Sequence, residues 1–287
     1  MQENAYFGQA GFYILHDPEE LAIPGLPQGQ YDIPLSITSK RFNPDGSLWS
    51  PEANNEVQNL FGDVVMTNGQ AWPYLKVEPR KYRLRFLNAA ISRSFQLYFE
   101  SPSGSRISHK VVGSDAGLLL NPVDTTQLDI SMAERWEVVI DFANYKGQNV
   151  TLRSNQKVAD CDVYLHTDKI MRESLTGCTV SFSTDCLTGF VVGNDVTDTY
   201  RNEELPAKLR DVPFPPSIDG PAEHLFEFQR QGGEWKINGA SWADGPEKRV
   251  LAKPKRGAVE MWDLKNGAGG MSLHHTSLCL RPKLTFP

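Results

Sequence analysis

No run of apolar residues in this sequence approaches the ~18 needed to cross a membrane as a helix. Positive charge is in short supply too: 29 Lys and Arg stand against 35 Asp and Glu, a formal net charge of −6 over 287 residues. There is no basic excess to displace counterions from a phosphate backbone, so neither a nucleic-acid nor a membrane partner is expected. The opening MQENAYFGQAG has no basic start and no apolar core, so it does not read as a secretory leader. The four cysteines, Cys161, Cys178, Cys186 and Cys279, match no zinc spacing. They read as isolated thiols or one opportunistic disulfide. Of six histidines, His16, His109, His166 and His224 are scattered and expected at surfaces or turns. His274 and His275 are adjacent, so in an extended chain they point to opposite faces and cannot share a metal ion. Helical periodicity is also scarce.

What the sequence does hold is alternation. Between Glu78 and Phe99, Tyr82, Leu84 and Phe86 fall on one side and Arg83 and Arg85 on the other. Phe95, Leu97 and Phe99 repeat the pattern. A period of two with aromatic and branched residues predicts half-buried strands, and these two are expected to neighbour one another in one sheet. The same signal recurs at 11–17, 33–37, 64–66, 110–112, 128–132, 136–142 and 150–152, separated by Gly, Pro and Asn turns. Many short strands at such spacing predict an all-β sandwich. The Pro- and Gly-punctuated runs 21–30 and 197–223 read as connections between domains. Beyond them, Phe226 and Phe228, Trp235 to Ile237 and Val259 to Leu264 start a new series of strands.

One order of features occurs twice. Asn68-Gly69-Gln70-Ala71-Trp72 precedes a basic Pro turn and a strand ending in Asn88; Asn238-Gly239-Ala240-Ser241-Trp242 precedes another and a strand ending in Asn266. Three features in conserved order favour duplication of one domain over chance reuse of Asn-Gly hairpin turns. A single N-glycosylation triplet, Asn149-Val150-Thr151, lies in or beside a predicted strand.

The segments ENAYFGQAGFYILHD, YDIPLSITSKRF, FGDVVMTNGQAWPYLKVEPRKYRLRFLNAAISRSFQLYF, DTTQLDISMAERWEVVIDF, KLRDVPFP and WKINGASW through VEMWDLKNGAGG resemble the multicopper oxidases. The resemblance covers nearly all of 3–270 and implies cupredoxin-like Greek-key β-sandwiches. It implies that 1–22 end a first domain and that 23–200 form a second, copper-free one. By the same resemblance 201–221 link, and 222–287 begin a third. It further implies copper as cofactor, a small bilirubin-like or phenolic reducing substrate, reduction of dioxygen to water, and an extracellular location. The family's copper ligands lie in His-x-His, His-Pro-x-His-x-His and His-Cys-His motifs, and the sequence contains none of these. No catalytic, cofactor-binding or metal residue is therefore carried over, and this chain is expected to bind no copper tightly and to be inactive alone. The alternative expectation is a copper-free sandwich that acts by binding or as a structural part.

The resemblance breaks at 173–189 and from 271 onward. Codons for Arg172-Glu173-Ser174 and Gly270-Met271-Ser272 can hold intron donor sequences, and those for Thr188-Gly189 an acceptor, so both stretches are read as translated introns. Genomic codons at these positions test this. The first stretch, with Cys178 and Cys186, is expected to form an exposed, poorly ordered loop. The last domain, cut short, is expected to leave bare strand edges that favour aggregation.

Overall fold

The computed structural model describes residues 2–54, 62–155, 186–212, 220–267 and 284–285. The chain divides into two compact units, Met1–Asp211 and Val212–Pro287.

In the first unit, α1 (Gln2–Tyr6) and α2 (Pro18–Ala22) precede the strands. These are β1 (Asp32–Lys40), β2 (Val64–Thr67), β3 (Gln70–Ala71), β4 (Tyr74–Val77), β5 (Lys81–Asn88), β6 (Phe95–Glu100) and β7 (Arg106–Ile107). They continue with β8 (His109–Ser114), β9 (Gly117–Thr125), β10 (Leu128–Ile130), β11 (Arg135–Asp141), β12 (Asn149–Ser154) and β13 (Cys186–Val192). One sheet has seven strands in the order β3-β2-β1-β5-β11-β8-β9; the other runs β10-β6-β12-β13-β4, with β7 on β6. Facing side chains of the two sheets form the core. Leu35, Ile37, Val65, Leu84, Phe86 and Val138 come from the first sheet, and Leu97, Phe99, Val150, Leu152 and Phe190 from the second. Each such side chain, removed from water, contributes roughly 1.5–3 kcal/mol. Most of the described strands fall where alternation predicts them, and the all-β sandwich is the observed fold.

Three local expectations fail, and two stretches read as connections are packed. β5 and β6 lie in different sheets: the 89–94 connection crosses the sandwich, and a crossing looks like a hairpin in sequence. Residues 11–17 are not a strand, and Tyr13 is 90% exposed, because no described strand pairs with them. The 21–30 and 197–211 stretches, read as connections, are packed along part of their length, with Ile23, Leu26 and Leu209 buried beside Val112 and Val139. Residues 173–185 lie outside the described residues, but Cys186–Gly189 belong to β13, where Cys186, Leu187 and Thr188 are buried rather than exposed. Pairing with β12 and β4 on either side fixes them there.

The second unit contains β14 (His224–Gln231), β15 (Glu234–Ile237), β16 (Ala240–Ser241), α3 (Pro246–Arg249), β17 (Val259–Glu260), β18 (Trp262–Asn266) and β19 (Leu284–Thr285). Its main sheet runs β16-β15-β14-β18, with β17 and β19 paired separately. This sheet repeats part of the first unit. β1 pairs antiparallel with β2 and parallel with β5; β14 pairs antiparallel with β15 and parallel with β18. Ile37 opposes both Thr67 and Asn88, and Phe228 opposes both Ile237 and Asn266. The turns match in detail. Asn68 and Gly69 have φ of 50° and 81°, and Asn238 and Gly239 have 51° and 81°, the left-handed pair that a tight hairpin turn demands and Asn-Gly tolerates. Asn68 Nδ2 donates to the Pro34 carbonyl at 2.9 Å and Oδ1 accepts from the Ser36 amide at 2.8 Å. Asn238 Nδ2 donates to the Leu225 carbonyl and Oδ1 accepts from the Glu227 amide, both at 2.7 Å.

Candidate functional site

The densest group of ionised side chains lies on the outer face of the seven-stranded sheet. Period-two alternation sends Leu84 and Phe86 inward, so Arg83 and Arg85 emerge on the opposite face. They do not reach solvent: Arg83 is 1% exposed and Arg85 6%. Beside them on β11 stands Glu137, directly opposite Arg85. Gly113 on β8 makes room for its carboxylate, since a Cβ there would sit 2.9 Å from Glu137 Oε2. Asp32 opens β1. The fifth member, Glu20, arrives on α2, which starts because Asp17 caps it, accepting from the Glu20 amide at 2.7 Å, and Pro18 occupies the first turn.

Every carboxylate in the group is engaged. Arg83 Nη1 donates to Glu20 Oε1 at 2.5 Å, and its Nε and Nη2 hold Glu137 Oε2. Arg85 forks onto Asp32 at 2.8 and 2.7 Å, reaches Glu137 Oε1 at 2.7 Å and Glu20 Oε1 at 3.0 Å. Burial acts to raise the Glu20 pKa, but the charge of Arg83 and hydrogen bonds from both arginines outweigh it, so the carboxyl sits below its ordinary value. Burial acts to lower Arg85, yet the hydrogen bond to Asp32 and the charges of Glu137 and Asp32 push it upward and keep it protonated. The set therefore offers no free base, acid or nucleophile. Chemically it is a fastening.

The 197–211 stretch is fastened nearby. Arg80, fully buried, stacks its guanidinium 3.5 Å above the Tyr31 ring and donates to the Tyr200 carbonyl at 2.7 Å and to the Asp198 carbonyl. Lys81 Nζ meets Glu204 at 2.6 Å. Arg201 donates to the carbonyls of Leu21 and Ile23, so this strap and the 18–26 strap hold each other. The sequence reading missed this network. Its one legible signal was a pair of arginines at i and i+2 in a strand whose other side is wholly apolar.

The histidines and cysteines do not converge. His109 is not a surface residue: it is 3% exposed, edge-on to Phe99 at 5.0 Å, with Nδ1 facing the Ile107 carbonyl at 3.2 Å. Burial lowers its pKa, and the Ile107 contact opposes that. It is inside because β8 enters the sandwich one residue earlier than the alternation suggested. His16 lies beside Glu20, and His224 beside Glu260 in the second unit. Cys186 is buried at the start of β13. His166, His274, His275, Cys161, Cys178 and Cys279 lie outside the described residues. Among the described residues no group of three or more His, Cys, Asp or Glu side chains is placed to hold a metal ion. The buried carboxylates are occupied by arginine, and imidazole and thiolate, the donors copper favours, are not gathered. The described residues do not fit copper.

Residues 19–167 match the family model described as Multicopper oxidase. The chain is 45% identical over 277 residues to the bilirubin oxidase of Albifimbria verrucaria, which covers 93% of this chain and 44% of that protein. It is 37% identical over 298 residues to a laccase of Bacillus stratosphericus, covering 96% of this chain and 52% of that protein. The chain thus spans about half the length of these curated relatives. The McoA multicopper oxidase of the hyperthermophile Aquifex aeolicus superposes with a TM-score of 0.69 at 24% identity, over 92% of this chain and 55% of that one. At that identity the likeness speaks for the fold.

Proposed function

Because the chain belongs to the multicopper oxidase family, we propose that it forms part of an oxidase that takes electrons from bilirubin-like or phenolic molecules and reduces dioxygen to water. In this reading residues 23–200 are a copper-free middle sandwich, 1–22 close a preceding domain, 201–221 connect, and 222–287 open a further domain whose sequence departs from the family after 270. Copper in such an enzyme supplies the one-electron steps; among the described residues no three His, Cys, Asp or Glu side chains are grouped to hold it. Their task is mechanical. A doubly covered sheet, strapped on one side by ion pairs and closed on the other by apolar packing, is a stiff spacer.

The observation that carries this reading is the 45% identity to a bilirubin oxidase along 93% of the chain. An extracellular location goes with it by family resemblance. A chimera tests the role: residues 23–200 replace the aligned segment of the Albifimbria verrucaria bilirubin oxidase. A chimera that takes up its full copper and oxidises bilirubin is the expected result. Full copper content without turnover overturns the spacer role. Titration of the purified chain with copper is expected to give no intense blue thiolate-to-copper band, and such a band overturns the copper-free assignment.

A further inference from the structure

We propose that Asn149 is an N-glycan acceptor and that the surface beside it, formed by Gly189, Val191 and Tyr74, is the shelf on which the first sugars rest. Asn149-Val150-Thr151 is the single Asn-x-Ser/Thr triplet in the sequence. The motif alone is weak, but the fold puts it in the required phase. β12 alternates so that Val150 and Leu152 are fully buried in the core, which turns Asn149 and Thr151 together onto the outer face of the smaller sheet. Asn149 is exposed, and neither side chain is tied to another described residue. The acceptor amide and the hydroxyl that a transferase must read are thus displayed side by side.

The neighbouring strands supply the second observation. On that same face Asn149 opposes Val191, and Thr151 opposes Gly189, which in turn opposes Tyr74. Val191 is 38% exposed and Tyr74 is 69% exposed, two apolar side chains left open to water in a sheet whose other face is sealed. Gly189 sits between Thr151 and Tyr74. A Cβ there would meet only Tyr74 Cβ at 3.6 Å, ordinary contact, so packing does not demand glycine. What glycine creates is a flat depression one strand wide, at strand spacings of about 4.8 Å. An N-acetylglucosamine linked at Asn149 lies over Val191 and this depression, with the Tyr74 ring at its far edge as a stacking wall for an apolar sugar face. The reaction is transfer from a lipid-linked oligosaccharide in the secretory compartment. The Asn149 Nδ2–C1 bond forms, the C1–O bond to the dolichyl diphosphate breaks, the diphosphate leaves with the electron pair, and Nδ2 gives up a proton.

The whole chain, translated behind a secretory leader with microsomes, is the test material. Protease-protected chain is expected to show one discrete mobility shift, removed by peptide N-glycosidase with conversion of Asn149 to aspartate. Asn149→Gln and Thr151→Val abolish the shift and Thr151→Ser retains it; this is read on the nascent chain, so folding of the variants does not matter. Protected chain without the shift, or with the shift retained in Asn149→Gln, overturns the acceptor assignment. The shelf has its own readout. Tetranitromethane nitration of Tyr74 is expected to slow several-fold in glycosylated relative to enzymatically deglycosylated protein, while Tyr13, 90% exposed and on no sheet, reacts equally in both. Equal rates at Tyr74 overturn the shelf.

Discussion

Replacing Arg83 by methionine tests whether the ion pairs under the first strap hold the sheet's outer face. The stem length is kept, so packing against Val139 is little changed, and the guanidinium is lost. Glu20 then keeps Arg85 at 3.0 Å and the His16 ring at 3.6 Å, and Glu137 keeps Arg85 on its other oxygen at 2.7 Å. Five charges with two cations become four with one, beneath a cover that leaves Arg83 1% exposed. Removing one partner of a buried pair costs about 3–5 kcal/mol, a large part of the ~5–15 kcal/mol that a domain has. With a urea dependence of about 1–3 kcal/mol per molar, the midpoint falls by at least ~1 M. Amide exchange at Val138 and Leu152, fully buried in core strands of this unit, reports it when followed by mass spectrometry as urea rises. The double variant Arg83→Met/Glu20→Gln removes one orphaned charge and should recover at least about 1 kcal/mol, the coupling expected of groups in one network. A loss below about 1 kcal/mol in the single variant, or no recovery in the double, refutes the reasoning.

Two other perturbations follow from the fold. His109 has a pKa depressed by burial, so below the unfolded imidazole's ~6.5 the unfolded chain binds a proton that the folded chain refuses; stability is full above that pH and declines as pH falls, by up to about 1.4 kcal/mol per unit. His109→Gln should flatten the urea midpoint between pH 7.5 and 5, and an unchanged slope would show that another group sets it. Asn68→Ala removes two hydrogen bonds and leaves alanine at φ 50°, a loss of roughly 2–3 kcal/mol; Asn238→Ala should cost the second unit the same, read as faster amide exchange at Ser36 and Glu227 respectively.

Strand positions were legible where one face of a strand seeks the core. β12 alternates over its length, and in β11 the core-facing Trp136, Val138 and Ile140 mark the strand although Val139 on the other side is buried too. β5 was legible on one face only. Whether Arg83 and Arg85 meet water depends on α2 and on Arg201, which hold segments some 60 residues before and 120 after, and strand periodicity carries nothing about such distant covers. The same applies to Gly11–Asp17: its alternation is genuine, but a strand exists only with a partner, and the described residues offer none. His109 was misread because it stands between Ser108 and Lys110, one residue before the stretch that marks β8 in sequence. The doubled Asn-Gly hairpin was legible because its chemistry is local: a left-handed turn selects its residues wherever it occurs.

The seam between β4 and β13 has a consequence for synthesis. It joins Tyr74 to Gly189 and Val77 to Val192 in parallel, so the smaller sheet cannot close until about 115 further residues have been made. At translation rates of about 5–20 residues per second, β4 waits on the order of 6–23 s with an unmet edge. A chaperone that recognises short apolar strands would find its target here first, and slowing elongation between these two strands should raise the fraction of chains lost to aggregation.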